Sequence, residues 1–233
     1  MNALANPEVG KFINEHFCSS FQKVATFRIV GNQKQGGNVA AYFCAPDGRV
    51  LHVVAGPVDA GTMLNEAKWM VDSTKKAIAE AKNDGAKFKA AFRKMHAERL
   101  RQQYGLVVEP VTFDPPDVQD SNSALTYNDP SGRPLAPKLP PPPIEGPDVT
   151  FRLQAKEAGR GENADAAVRD RKGGAWALGT QGRVHQLMAA HSMLKIELVY
   201  GTVFENILGE KVSTKPVEVA TPFPWVDAKR PGR

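Results

Sequence analysis

The sequence predicts a mixed α/β fold, on three observations. Two almost wholly apolar runs, Asn38-Val-Ala-Ala-Tyr-Phe-Cys44 and Arg49-Val-Leu-His-Val-Val54, flank the tight turn Ala45-Pro-Asp-Gly48. That is the pattern of a β-hairpin whose first strand is buried on both faces. Two long stretches with apolar residues at helical spacing follow the hairpin, and a further pair lies near the C-terminus.

Taken in order, Asn6-Pro7-Glu8 opens the first helix with an N-cap residue, a proline at the first position and an acid near the positive end. Val9, Phe12, Ile13 and Phe17 form its apolar stripe. Phe17 to Val30 reads as extended chain and Gly31 to Gly37 as a loop before the hairpin. Gly56-Pro57 ends the hairpin. Asp59 or Thr62 then caps a long helix with Leu64, Ala67, Val71 and Ile78 on one face. Asp84-Gly85 breaks that helix, and a second runs from Ala86 to about Tyr104.

This order resembles the thioredoxin-like family over about residues 3–82. The motifs that carry the resemblance are Asn6-Pro-Glu-Val-Gly-Lys-Phe-Ile-Asn-Glu-His-Phe17 and the Pro46-Asp-Gly48 turn between the last two strands. It implies a degenerate thioredoxin-like domain with an incomplete first βα unit. Two departures remove the family's chemistry. No CxxC precedes the first helix, and Gly36-Gly37-Asn38-Val39 has no proline where the family places a cis-proline, so trans geometry is expected there. The strand that would precede CxxC is the central one. Its neighbours are then left with open edges, to be resolved by chain upstream of Met1, by direct pairing, or by a strand such as Val149 to Leu153 or Val217 to Ala220. In the family arrangement Cys18 and Cys44 lie two strands apart, about 9–10 Å, beyond disulfide reach, so buried free thiols are expected. A redox pair requires those strands to be adjacent.

Charge and proline divide the chain. Residues 1–105 carry a net +6, residues 106–148 a net −5 and residues 149–233 a net +4. Eleven of the 18 prolines fall between Pro110 and Pro147, including Pro140 to Pro143. Proline lacks an N–H, so 106–148 reads as an acidic, semi-rigid linker. The alternative is a recognition motif at Pro134-Leu-Ala-Pro137, where Arg133 and Lys138 are misplaced for either usual orientation. The expected organisation is a thioredoxin-like domain over 1–105, the linker, and an α-rich C-terminal module over 149–233.

Within the first unit, Lys87, Lys89, Arg93, Lys94, Arg99 and Arg101 face only Glu98, with Phe88, Phe92 and Met95 as the apolar stripe. Such a helix suits a polyanion, or simply solvates its outer face; no RNA-binding aromatic motif or helix-turn-helix accompanies it. In the second unit Gly159-Arg-Gly161-Glu-Asn-Ala164 has the shape of a dinucleotide turn but lacks the acidic residue on a following strand, so it reads as a loop. Arg183 to Ala190 and a helix from Met193 to Leu208, capped by Ser192 and ended by Gly209, form a helical hairpin. It must dock on the first unit or on a second copy of the chain.

His185 and His191 lack a third ligand at suitable spacing and read as plain surface or packing histidines. His16, His52 and His96 stand alone, so neither a metal nor another cofactor is expected. The function expected is that of a non-catalytic scaffold binding an unidentified protein. The alternatives are a thiol–disulfide oxidoreductase whose CxxC lies upstream, with Cys18 and Cys44 as the redox candidates, and a basic nucleic-acid binder. No membrane-length apolar run occurs, and the first residues lack a signal-peptide core, which favours a cytoplasmic location.

Overall fold

The computed structural model describes residues 3–21, 28–30, 33–35, 38–111, 127–128, 134–135, 139–147, 168–169 and 176–210. The dinucleotide-like turn at 159–164, Val149 to Leu153 and Val217 to Ala220 lie outside these residues. The fold is mixed α/β, with every sheet among the described residues two-stranded. No described helix is long and apolar enough to cross a membrane.

Helix α1, Pro7–His16, starts where its sequence dictates: Asn6 Oδ1 accepts from the N–H groups of Glu8 and Val9. Strands β1, Arg28–Val30, and β2, Gln33–Gln35, pair antiparallel. Strands β3, Ala40–Cys44, and β4, Val50–Ala55, form the expected hairpin, with a bulge between Phe43 and Cys44, but β3, expected to be buried on both faces, is half-buried apart from Phe43. All of β4 is buried. No cis peptide bond occurs among the described residues, Asn38-Val39 included.

Asp59 caps helix α2, Ala60–Ala81, through Thr62 N–H, and Asp84 caps α3, Gly85–Tyr104. The buried face of α2 is Met63, Glu66, Ala67, Met70, Ser73 and Ala77, while Ile78 is exposed. The expected stripe through Leu64, Val71 and Ile78 is therefore displaced by about one position, because polar Glu66 is drawn into the interior. Strand β5, Leu106–Val108, follows Gly105. Short pairs lie at β6, Tyr127–Asn128, with β7, Pro134–Leu135, and at β9, Val168–Arg169, with β10, Trp176–Ala177. Strand β8, Ile144–Pro147, pairs with β5, so the two ends of the expected linker are joined in one ladder.

Helix α4 spans Thr180–His191 and α5 spans Ile196–Thr202, continued by a π-helical turn over Val203–Ile207. The second C-terminal helix is thus shorter than expected and Ser192 does not cap it. Met193 takes a left-handed backbone with φ of 72°, and the Ser192 hydroxyl donates to Leu51 O instead. Val184, Leu187, Met188, Val199 and Val203 pack with Val50, Val53 and Ala55 of β4 in one apolar cluster. Each such side chain contributes about 1.5–3 kcal/mol on burial. The C-terminal helices therefore dock on the first unit.

That docking also closes the open edge of β4. Residues 193–195 lie along its start, with Val50 N–H donating to Leu194 O and Met193 N–H to Val50 O, and Arg49 bridging Lys195. Further along the edge, side chains stand in for a neighbouring strand. Leu51 O accepts from His96 Nε2 and the Ser192 hydroxyl, and Val53 O accepts from Gln181 Nε2. Buried carbonyls require such partners.

Candidate metal centre

Three histidines that the sequence places far apart meet beside this edge. His52 sits mid-strand in β4, His96 on the buried face of α3 and His185 in α4, and all three are fully buried. One ring nitrogen from each lies within 4.8 Å of those of the other two. His96 Nδ1 and His185 Nδ1 are 3.0 Å apart. Trp69 stands edge-on to all three rings at 5.0–5.1 Å, and Arg99 lies over its indole. The expectation that His52 and His96 stand alone is overturned by this packing.

One carboxylate joins the cluster. Glu66 Oε2 lies 3.0 Å from His52 Nε2 and 3.6 Å from His185 Nε2. Its Oε1 accepts from Arg99 at 3.3 Å. Each ring thus turns Nε2 toward an acceptor: Glu66 for His52 and His185, and Leu51 O at 2.8 Å for His96. Acceptors on all three Nε2 atoms would leave the lone pairs on the three Nδ1 atoms. Two of those then face each other across 3.0 Å, and His52 Nδ1 has no partner in the protein. Three neutral imidazoles carry three protons, enough for His52 to Glu66, His96 to Leu51 O and the His96–His185 pair, while the 3.6 Å approach of His185 Nε2 to Glu66 is beyond hydrogen-bond reach. His185 then gives its proton to His96, and its Nε2 is left as an orphaned acceptor against a carboxylate.

The unpartnered ring nitrogens, His52 Nδ1 and His185 Nε2, would be met by a further proton or by a metal ion. Burial disfavours the proton. It lowers the pKa of His52 and takes His96 well below the ordinary range, where the neighbouring histidines add to the effect. It brings His185 down to about 4, against the opposing pull of Glu66. Glu66 is held ionised: burial pushes its pKa up, and the His185 and His52 imidazoles beside it more than reverse this. Three imidazoles whose ring nitrogens converge form the donor set of a zinc-class ion, and a carboxylate behind a ligating histidine is the usual orienting partner. Zinc–nitrogen bonds near 2.0–2.1 Å place ligands about 3.3 Å apart, close to the His96–His185 separation.

The same burial makes a prediction for the metal-free chain. Histidines whose folded pKa is depressed take up protons only on unfolding between that value and their unfolded value. Their stabilisation is complete above pH 6.5, the ordinary value, and is lost as pH falls toward about 4 for His185. His185 contributes roughly 3 kcal/mol to this loss, at about 1.4 kcal/mol per tenfold change in proton affinity. Urea unfolding at stepped pH should show the midpoint falling below pH 6.5, with a smaller slope in His185→Phe.

The other sequence candidates are dispersed. Cys18 is exposed and Cys44 half-buried, both free, so the expected burial holds only in part for Cys44 and not for Cys18. Cys18 follows the end of α1 and so lies outside the packed core, while burial, with Glu197 and Asp47, pushes the Cys44 thiol up to about 11. Of the six basic residues, Arg93 is fully buried and donates to Ser192 O and Val111 O, so it does not face a polyanion. Arg99 is committed to Glu66, Arg101 pairs with Glu98 and Lys87 with Asp84, while Lys94 is exposed. His191, grouped with His185 by sequence, points to Pro140 O.

A cavity of about 410 Å³ between β4 and the start of α4 is bordered by Asn38, Gly56, Thr180, Gln181 and Leu208. Gln181 separates it from His52, at 3.4 Å from Nε2. No protein-family model matches the chain, no curated protein matches it, and no solved structure matches it.

Proposed function

We propose that this chain is a non-catalytic, partner-binding scaffold of thioredoxin-like lineage, clamped by one divalent transition-metal ion of the zinc class on His52, His96 and His185. The observation that carries the metal reading is the convergence of one ring nitrogen from each of three fully buried imidazoles within 4.8 Å of one another. Nitrogen donors select zinc, cobalt, nickel or copper over magnesium and calcium. The helix–hairpin–helix order supports the lineage, and the full burial of the three histidines supports a structural rather than a reactive ion. The oxidoreductase reading draws little support from an exposed Cys18 and a Cys44 whose thiol is held protonated. The nucleic-acid reading is weakened by the engagement of Arg93, Arg99 and Arg101 within the protein.

The test is metal analysis of the purified full chain after dialysis against zinc and then against metal-free buffer. About one equivalent per chain is expected, with visible d–d bands when cobalt replaces zinc. His96→Gln and His185→Gln should each retain less than about a tenth of that. A wild-type chain that retains no metal while folded would refute the reading.

A further inference from the structure

The proline run lies on the C-terminal helices. Leu139 is buried among Val184, Val199 and Val203, and its N–H donates to the Thr202 hydroxyl at 2.9 Å. Two carbonyls further along are met by side chains of α4. His191 Nε2 donates to Pro140 O at 2.6 Å, and Gln186 Nε2 donates to Pro142 O at 2.9 Å. Pro142 is buried, while Pro140, Pro141 and Pro143 face out.

These contacts read a particular chemistry. Proline offers no N–H, so a protein recognises a proline run through its carbonyls and ring faces. Donors matched to carbonyls two residues apart, beside an apolar socket for one leucine, do this. A proline segment is already extended before binding, so little conformational entropy is lost on docking. Here the protein holds a proline run rather than offering one, while Ala136 and Pro137 of the PxxP lie outside the described residues.

We infer that the face of α4 carrying Gln186 and His191, with Thr202 of α5, is a recognition groove for leucine-proline-rich segments of a partner protein. In the free chain it is occupied by the protein's own residues 139–142. The occupant seated on the groove sets the ligand class. A tethered ligand acts at an effective concentration of the order of millimolar, so it masks the groove from a partner of ordinary affinity. Displacement of the strap would also free Ile144–Pro147 from β5, linking partner binding to the ladder that joins the two halves.

The experiment uses the full chain and a fluorescein-labelled peptide copying residues 136–145, read by anisotropy. The doubly substituted Pro140→Gly/Pro142→Gly chain, which weakens the strap but keeps Leu139, should bind at least about tenfold more tightly than wild type. Adding Gln186→Ala to it should reverse about tenfold of that gain. A folded strap variant, judged by circular dichroism, that binds no better than wild type overturns the inference, as does binding indifferent to Gln186→Ala. If the double substitution fails to fold, Pro142→Gly alone should bind about threefold more tightly than wild type, and equal affinity overturns the inference. Dimerisation of the strap variant with wild-type chain, without binding of the free peptide, would assign the groove to a second copy and likewise overturn it.

Discussion

Saturating zinc raises the melting temperature of the metal-free chain by about 8–16 °C. The figure follows from linkage. At a free concentration 1,000 times the dissociation constant, a ligand that binds only the folded state adds about 4 kcal/mol. For a chain of this size each kcal/mol moves the midpoint by about 2–4 °C. The ligands come from β4, α3 and α4, so the ion would hold together elements that otherwise meet through apolar packing and a few hydrogen bonds. Differential scanning calorimetry with and without zinc measures the shift. His185→Gln should abolish it, and magnesium should not produce it. A shift below about 2 °C at saturation would mean that the cluster is a hydrogen-bond network rather than a metal centre.

Arg93→Ala destabilises the chain by about 3–5 kcal/mol. The side chain is fully buried and its Nε and Nη1 donate to Ser192 O and Val111 O, each at 3.2 Å. Removal strips a donor from two carbonyls, at about 1–3 kcal/mol each, and leaves a cavity where the stem packed. Both acceptors belong to segments that anchor the C-terminal half. Ser192 closes α4 and bonds Leu51, and Val111 N–H donates to Ala189 O. Urea titration should show a lower midpoint with an unchanged slope. Arg93→Met, which keeps most of the stem, should recover part of the loss. A change below about 1 kcal/mol would show the guanidinium to be dispensable.

The parts of the structure that follow local rules were readable in the chain. Asn6, Asp59 and Asp84 cap the helices they precede because each side chain bonds N–H groups two or three residues on. Gly105 and Gly209 end helical segments in left-handed backbone for the same local reason. The hairpin around Asp47-Gly48 needs only alternating contacts between neighbouring strands. The histidine cluster needed more. A signal was present: His52 lies in a strand apolar on both faces, Glu66 falls between Met63 and Met70, and His96 is one turn beyond Phe92. Each polar residue on an apolar stripe demands a buried partner. The sequence does not say that those demands answer one another, because His96 and His185 are 89 positions apart.

What the amino-acid order determined by itself was the set of helices and the hairpin of the first unit, since caps, turns and periodicity act within a few residues. What only the tertiary structure decided was the use of the C-terminal half. Its helices cover the open edge of β4, the proline run is laid along them, and His185 is carried to His52 and His96. Burial of a common apolar surface drives that docking, and it depends on surface shape rather than on spacing along the chain. The polar side chains caught in it must then satisfy one another, and the metal site and the proline groove are both products of that requirement.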